Sequence, residues 1–242
     1  MLTLHFFPDT IGGRPMKGVS VSTTEPATIA TQVAQMQQGM AGHLPADAIE
    51  VFTADQKRMV EEGVPLGAAQ PGTALPDPEV VDAHGKSTTI GALRAHRPAV
   101  VVFYRGAWCP YCNLALKTYQ DQLVPELSSR DIPLIAVSPQ KPDGSLSAAE
   151  ANALTFDVVS DPGNQIASAL GIVVTPSEAS RTVTQQLGID LREANADGGY
   201  ELPMPTVLIV DGEGVITWSD IHPDYTTRTE VAEILAAVSQ LG

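Results

Sequence analysis

The chain has 242 residues, of which 43% are hydrophobic and 17% charged, and its 28 acidic and 14 basic side chains give a formal net charge of −14. This length can bury one good-sized core, or one core and a small appendage. The acidic balance argues against nucleic acid or an anionic membrane as a partner, and no segment approaches the roughly 18 uninterrupted apolar residues of a membrane span.

The chain begins with an irregular segment. Residues 1–25 contain glycines, prolines and a Ser/Thr run without a sustained period, so we predict a flexible leader. The first eight residues have no basic region, and their apolar stretch is too short for a secretory signal. We therefore expect a cytoplasmic location.

Two helices are predicted next, over residues 26–40 and from residue 45 to a stop at Gly63 and Pro65. Apolar side chains recur at helical spacing in both: Ile29, Val33 and Met36 in the first, and Ile49, Phe52, Met59 and Val60 in the second. We predict that residues 26–65 form a helical N-terminal extension packed on a main domain that spans residues 66–242.

Strands and helices alternate through this main domain. We predict strands at 80–82, 98–104, 132–137, 156–159, 206–210 and 215–218, and helices at 109–130 (kinked at Pro125), 147–154, 161–170 and 230–241. Asp211-Gly212-Glu213-Gly214 between the last two strands is a strong hairpin signal. The order predicts an α/β fold with a central mixed sheet that helices cover on both faces.

The two cysteines carry the clearest chemical signal. Cys109 and Cys112 form a C-x-x-C pair between a predicted buried strand and a predicted helix. Unpaired amides and the positive dipole end at a helix N-terminus stabilise a thiolate, the form that attacks disulfides and peroxides. Pro110 suits the first helical turn, where its missing N–H has no partner. Two thiols at this spacing predict a reversible disulfide.

A C-x-x-C pair has two other interpretations. Zinc would need two further ligands, but no other cysteine exists and the five histidines are scattered without ligand spacing, so we expect no metal and no cofactor. Two buried structural thiols are the second alternative. The aromatic and proline residues that flank the pair at a strand-to-helix junction favour redox use instead.

The segment Phe103-Tyr104-Arg105-Gly106-Ala107-Trp108-Cys109-Pro110-Tyr111-Cys112 resembles the active-site segment of the peroxiredoxin-like AhpC/TSA proteins, a resemblance that extends over about residues 66–241. It implies a thioredoxin-like fold. Its C-P-Y-C core also resembles thioredoxins and glutaredoxins. In the peroxiredoxin pattern F-x-P-x-x-x-T-x-x-C, the peroxide-attacking cysteine lies nine positions after the phenylalanine. On that register it is Cys112 (112 − 103 = 9), while Cys109 replaces the threonine and Arg105 the proline.

These departures concern the groups that hold peroxide in the family. The position that matches the family's arginine is Pro205, so we predict that this arginine is missing and that Arg105 supplies the positive charge. Trp108 is predicted to shield the thiols from water, or only to fill a groove. The segment from His222 to Arg228 resembles a D-Y-x-x-R segment of the family, which lines the site or only caps the last helix.

Met204-Pro205 before a buried strand resembles the cis-proline element of thioredoxin folds. There, a cis bond leaves the preceding residue's backbone free to pair with substrate. The alternative is a proline at the first position of a strand, where proline is tolerated. We predict the cis bond, and with it a substrate-binding role for Met204 and Pro205.

Three functions remain open. The first is a thiol peroxidase that reduces hydrogen peroxide or organic hydroperoxides and is regenerated by thioredoxin or a similar dithiol. The second is a disulfide reductase, in which Cys109 attacks and Cys112 resolves. The third is an interaction module that dimerises through the N-terminal extension. The resemblance favours the first, and a homodimer is among the expected assemblies.

Overall fold

The computed structural model describes residues 27–40, 42, 44–142 and 153–241. The leader predicted for residues 1–25 and most of the helix predicted for 147–154 lie outside the described residues. The division into leader, extension and main domain stays a prediction.

A mixed sheet forms the centre of the molecule, as predicted, and seven strands of the described residues belong to it. The strands of both sheets, in chain order, are β1 (Val80–Asp82), β2 (Ser87–Thr88), β3 (Ala99–Phe103), β4 (Leu134–Ser138), β5 (Asp157–Ser160), β6 (Val173–Val174), β7 (Leu202–Pro203), β8 (Thr206–Val210) and β9 (Ile216–Ile221). Their order across the main sheet is β2-β1-β5-β4-β3-β8-β9, and β6 pairs with β7 in a separate ribbon. The central strand β3 is parallel to β4 and antiparallel to β8.

Helices cover the sheet on both sides. They are α1 (Ile29–Met40), α2 (Ala46–Glu62), α3 (Ile90–Arg94), α4 (Pro110–Thr118), α5 (Val124–Ser128), α6 (Gln165–Ala169), α7 (Glu178–Gln186), α8 (Leu191–Ala194) and α9 (Val231–Val238). Among the described helices, none combines the length and the apolar character needed to cross a membrane.

The buried β-branched run of β3 contributes to two separate cores. Val100 and Val102 point into the cluster that contains both cysteines, whereas Val101 and Phe103 point into the cluster on the opposite face. Side chains alternate between the faces of a strand, so a strand covered on both sides must be apolar at every position. This explains why the run lacks the polar alternation of a half-exposed strand.

The long helix predicted over residues 109–130 is divided. α4 ends at Thr118, a π-helical turn spans Tyr119–Leu123, and α5 starts at Val124. The amide of Val124 donates to the carbonyl of Tyr119, five residues back. Pro125 has no N–H to continue the ordinary pattern, and the wider turn directly before it accommodates the break that we predicted there.

The two N-terminal helices pack on different neighbours: α1 packs beside α4, and α2 packs beside α7. On α1, Ile29 and Val33 are buried as predicted, and the carboxylate of Glu230 accepts from the amides of Ile29 and Ala30 at 2.8 Å each. The apolar face predicted for α2 is partly wrong, because Ile49 and Val60 are 43% and 50% exposed.

The face of α2 that is buried carries a carboxylate. Asp55 is buried and accepts from the backbone amide of Ser177 and from the guanidinium of Arg58. These polar contacts orient α2 against the start of α7, and a pattern based on apolar side chains alone could not find them.

Candidate active site

The cysteine pair lies at the junction of β3 and α4, as the sequence predicts. Cys109 is the N-cap of α4 with extended backbone angles (φ −90°, ψ 114°), and Pro110 is the first helical residue. The amides of Cys112 and Asn113 donate to the carbonyl of Cys109 at 3.0 and 3.1 Å. Both thiols are free and buried. The capping position therefore places the two sulfurs on the first turn of one helix.

The loop before Cys109 is held by polar contacts on both sides. The amide of Ala107 donates to Gln140 Oε1 at 2.6 Å, and Asn113 Nδ2 donates to the carbonyl of Ala107 at 2.7 Å. Gly106 has a φ of 143°, and a Cβ there would meet the indole nitrogen of Trp108 and Gln140 Oε1. Only glycine fits this position without displacing a neighbour. Gln140, which follows β4, and Asn113 of α4 thus hold the loop in this geometry.

A buried arginine contacts the sulfur of Cys112. Arg228 is 9% exposed, and its Nη2 lies 3.0 Å from Cys112 Sγ. Its Nη1 donates to the carbonyls of Tyr225 and Thr227, at 2.6 Å each, and these bonds hold the guanidinium in place. We predicted that the family's arginine is missing at position 205 and that Arg105 supplies the positive charge. Position 205 is a proline, and the charge of Arg105 does lower the pKa of Cys112, but the prediction missed Arg228, which contacts the sulfur. The arginine comes from the segment between β9 and α9 instead of position 205.

The two thiols differ in acidity. Burial alone would raise the pKa of Cys112, but a hydrogen bond from Cys109, the charge of Arg228 and a backbone hydrogen bond from Arg105 hold that pKa well below its usual value. The pKa of Cys109 is well above its usual value, because of its hydrogen bond to Cys112, its burial and the nearby Cys112 charge. Of the two thiols, Cys112 is therefore the more acidic, and it is the one that Arg228 contacts.

Arg105 and Trp108 lie beside the pair, where the sequence places them. The guanidinium carbon of Arg105 is 5.0 Å from the ring centroid of Trp108 and 4.3 Å from that of Tyr225. All three residues line a cavity of about 630 Å³, whose wall also includes Cys109. Although Cys109 is nearly inaccessible to solvent, it borders an open cavity. Cys112 is 0% exposed and is not among the residues that line this cavity, so the cavity reaches the pair at Cys109.

The cis peptide bond predicted between Met204 and Pro205 is wrong, because no peptide bond in the described part of the chain is cis. The amide of Met204 donates to the carbonyl of Ile172 at 2.7 Å, and its carbonyl accepts from Thr206 Oγ1 at 2.9 Å. Its backbone groups are already paired within the protein, and its side chain belongs to the core on the face opposite the cysteines. The substrate-binding role predicted for Met204 and Pro205 depended on the cis bond, so neither residue enters the function proposed below.

Three residues of this site were missed or left undecided by the sequence. Gln140 follows β4, while Tyr225 and Arg228 belong to the segment that resembles a D-Y-x-x-R element. That resemblance was the available signal for Arg228. A pattern in the sequence could not separate a residue that contacts the sulfur from one that caps the last helix.

Comparisons with known proteins agree with this geometry. The sequence model of the AhpC/TSA family matches residues 71–219. A Mycobacterium tuberculosis protein that is provisionally named a peroxiredoxin is 29% identical over 101 residues, which cover 42% of this chain and 63% of the relative. The mouse protein named peroxiredoxin-like 2C is 31% identical over 148 residues, which cover 60% of this chain and 58% of the relative. The chain thus spans about three fifths of the length of these curated relatives.

Solved structures share the fold. The crystal structure of reduced Prx3 in complex with H₂O₂ from Vibrio vulnificus aligns with a TM-score of 0.57 at 18% identity, covering 71% of this chain and 97% of that one. A likeness at this identity establishes a common thioredoxin-type fold of the peroxiredoxin kind.

Proposed function

We propose that this chain, which belongs to the AhpC/TSA family, reduces hydroperoxides through a dithiol–disulfide cycle between Cys112 and Cys109. The observation that carries the proposal is the contact between Arg228 and the sulfur of Cys112. A buried thiolate needs a compensating charge, and a guanidinium at 3.0 Å supplies it where the peroxidatic cysteine of the family is expected.

The first step uses the thiolate of Cys112. Its sulfur attacks the terminal oxygen of the hydroperoxide, so that an S–O bond forms while the O–O bond breaks. The sulfur is oxidised by two electrons to a sulfenic acid, and the departing oxygen takes a proton and leaves as an alcohol, or as water from H₂O₂. Arg228 stabilises the negative charge that moves from sulfur to the leaving oxygen.

The second step uses Cys109. Its sulfur attacks the sulfenic sulfur of Cys112, the S–S bond forms and the hydroxyl leaves as water. The position of the two cysteines supports this step, because they lie three residues apart in the first turn of one helix. An external dithiol such as thioredoxin then returns two electrons and is itself oxidised to a disulfide.

A disulfide reductase is the second candidate, and the position of Cys109 on the wall of the cavity favours it. The attacking cysteine of such an enzyme needs a lowered pKa. The pKa of Cys109 is raised instead. The acidity of the pair therefore supports the peroxidase over the reductase.

Separate Cys112→Ser and Cys109→Ser variants test the proposal. We expect Cys112→Ser to abolish peroxide consumption, whereas Cys109→Ser consumes one equivalent and accumulates a sulfenic acid that dimedone traps. The reverse assignment would appear as full loss in Cys109→Ser together with a retained single turnover in Cys112→Ser. Disulfide exchange without any peroxide consumption by the wild-type protein would replace the peroxidase with the reductase.

A further inference from the structure

The two chain neighbours of Arg228 are held by one pair of side chains. His222 Nδ1 lies 2.7 Å from the hydroxyl of Thr227. The hydroxyl of Thr229 donates to a carboxylate oxygen of Asp220 at 2.8 Å, and His222 Nε2 lies 2.8 Å from that same oxygen. One connected set of hydrogen bonds therefore reaches the chain on either side of Arg228.

This histidine–aspartate pair belongs to the central sheet and not to the segment that it holds. Asp220 lies in β9, where it pairs with Val207 of β8. The amide of His222 donates to the carbonyl of Pro205 at 2.9 Å. Since β8 also pairs with β3, the strand that leads to the cysteines, the pair links the segment around Arg228 to the frame that positions both sulfurs.

The hydrogen bonds of His222 require a proton on each ring nitrogen. Thr227 has one hydroxyl proton and gives it to the carbonyl of Asp224 at 2.9 Å, because a carbonyl can only accept. His222 Nδ1 must therefore donate to Thr227. The hydrogen bond to His222 lowers the pKa of Asp220, so this carboxyl is ionised near neutral pH and can only accept from Nε2. A histidine that donates from both nitrogens is a cation, and the pair is an imidazolium beside a carboxylate.

The guanidinium is bound to its own segment. Arg228 Nη1 donates to the carbonyls of Tyr225 and Thr227, so the guanidinium follows any displacement of this stretch of chain. The attraction between two charges and the strength of a hydrogen bond both fall as the atoms separate. The position of the segment therefore decides how strongly the thiolate of Cys112 is stabilised.

We infer that His222, together with Asp220, is a positioning residue that keeps the guanidinium of Arg228 against the reacting sulfur. The inference rests on the proposed function, in which the thiolate of Cys112 attacks the hydroperoxide. It gives His222 no contact with the substrate or with the sulfur. The effect of this histidine on the acidity of Cys112 must therefore pass through the guanidinium.

The test measures the acidity of Cys112, in proteins that carry Cys109→Ser, as the pH midpoint of alkylation by iodoacetamide. His222→Ala should raise this midpoint by about one pH unit, which lowers the alkylation rate below both midpoints by about tenfold. Loss of the guanidinium should have a larger effect, because the hydroxyl of Tyr119 also holds the segment through the carbonyl of Thr229, at 2.8 Å. His222→Asn keeps a donor near the Nδ1 position and should restore part of the acidity.

A second background separates positioning from a direct effect of charge. In Arg228→Met, the further change His222→Ala should leave the midpoint where it is, because a positioning residue then has no guanidinium to position. The same upward change in that background would mean that the histidine charge acts on the sulfur directly, and would overturn the inference. An unchanged midpoint in a folded His222→Ala would overturn it as well. His84→Ala removes a histidine that is exposed in the turn between β1 and β2, and this matched control should leave the midpoint unchanged.

Thr227→Val keeps the test decisive if His222→Ala does not fold. It removes only the hydroxyl that His222 binds, from a residue that is exposed, and it should raise the midpoint by a smaller amount in the same direction. No change in a folded Thr227→Val would then overturn the inference. None of these measurements uses peroxide, so their failure leaves the proposed peroxidase standing, and the cysteine variants described above test that activity separately.

Discussion

Removal of the Arg228 charge should make Cys112 a weaker acid. At the observed 3.0 Å, two unit charges in an effective dielectric of about 20 attract by ~5 kcal/mol. Water that enters the space left by the side chain replaces part of this attraction. The net loss is therefore closer to the ~1.5–3 kcal/mol that a hydrogen bond to a charged group contributes. Since one pKa unit corresponds to ~1.4 kcal/mol, Arg228→Met should raise the pKa of Cys112 by about two units.

The assay needs Cys112 as the single thiol, so both proteins carry Cys109→Ser. The rate of alkylation by iodoacetamide, followed against pH, reports the fraction of thiolate. We expect the midpoint to move upward by about two units in Arg228→Met and by less in Arg228→Lys, which keeps the charge. At a pH below both midpoints, the single-turnover rate with peroxide should fall by about 100-fold, because the thiolate fraction falls tenfold per unit.

Two controls separate acidity from folding. Arg181→Met removes an arginine that stacks on Tyr200 away from the cysteines, and it should not move the midpoint. Arg228→Met also leaves the carbonyls of Tyr225 and Thr227 without their donor, so its thermal unfolding must be measured alongside. An unchanged alkylation midpoint in a variant that remains folded at the assay temperature would refute the assignment of Arg228 as the group that stabilises the thiolate.

Three further predictions concern the stability of the protein when residues in or outside the site are replaced. Gly106→Ala should lower the free energy of unfolding in urea by ~1–3 kcal/mol more than Gly188→Ala does. Both glycines have a positive φ, but only at Gly106 would a Cβ meet neighbouring atoms. Equal losses in the two variants would show that the neighbours of Gly106 move aside at no cost. Asp161→Ala should lower the free energy of unfolding by ~1–2 kcal/mol, and by more than Asp190→Ala does. The reason is that the Asp161 carboxylate accepts from three backbone amides, whereas the Asp190 carboxylate accepts from one. A smaller loss in Asp161→Ala than in Asp190→Ala would contradict this capping role of Asp161. Hydrogen bonding to a histidine lowers the pKa of Asp220, so this carboxylate stabilises the fold above its usual pKa and stops doing so as pH falls through the lowered value. The Tm difference between wild type and Asp220→Asn should therefore shrink from pH 7 toward about pH 3, and a constant difference would argue against the assignment.

The strand-to-helix junction could be predicted because its signals are local. A run of buried β-branched residues, a cysteine at the capping position and Pro110 at the first helical position act within a few residues of each other. Short-range sterics and hydrogen bonding determine such elements, so the sequence is sufficient there. The hairpin at Asp211–Gly214 was predictable for the same reason; its first strand has the predicted bounds, and its second begins one residue later and ends three residues later than predicted.

Contacts between distant segments could not be predicted in this way. Arg228 is 116 residues from Cys112 in the chain, and matching positions to the family pattern led to Pro205 instead. The amide of Met204, expected to be free for substrate, likewise binds the carbonyl of Ile172, which lies 32 residues earlier in the chain. In both cases the deciding partner is set by how the sheet and its loops pack, which no local pattern encodes.

The helix N-terminus alone does not decide which sulfur is acidic. Both cysteines lie in the first turn of α4, and Cys109 holds the capping position itself, yet its pKa is raised while that of Cys112 is lowered. A dipole acts on both sulfurs with the same sign, so it cannot produce opposite shifts. The asymmetry follows from the guanidinium of Arg228, which contacts Cys112, and from the thiol of Cys109, which must keep its proton to donate to that sulfur. The difference in acidity between the two sulfurs thus depends on a residue 116 positions away in the chain, and the helix N-terminus stabilises negative charge at that turn without distinguishing them.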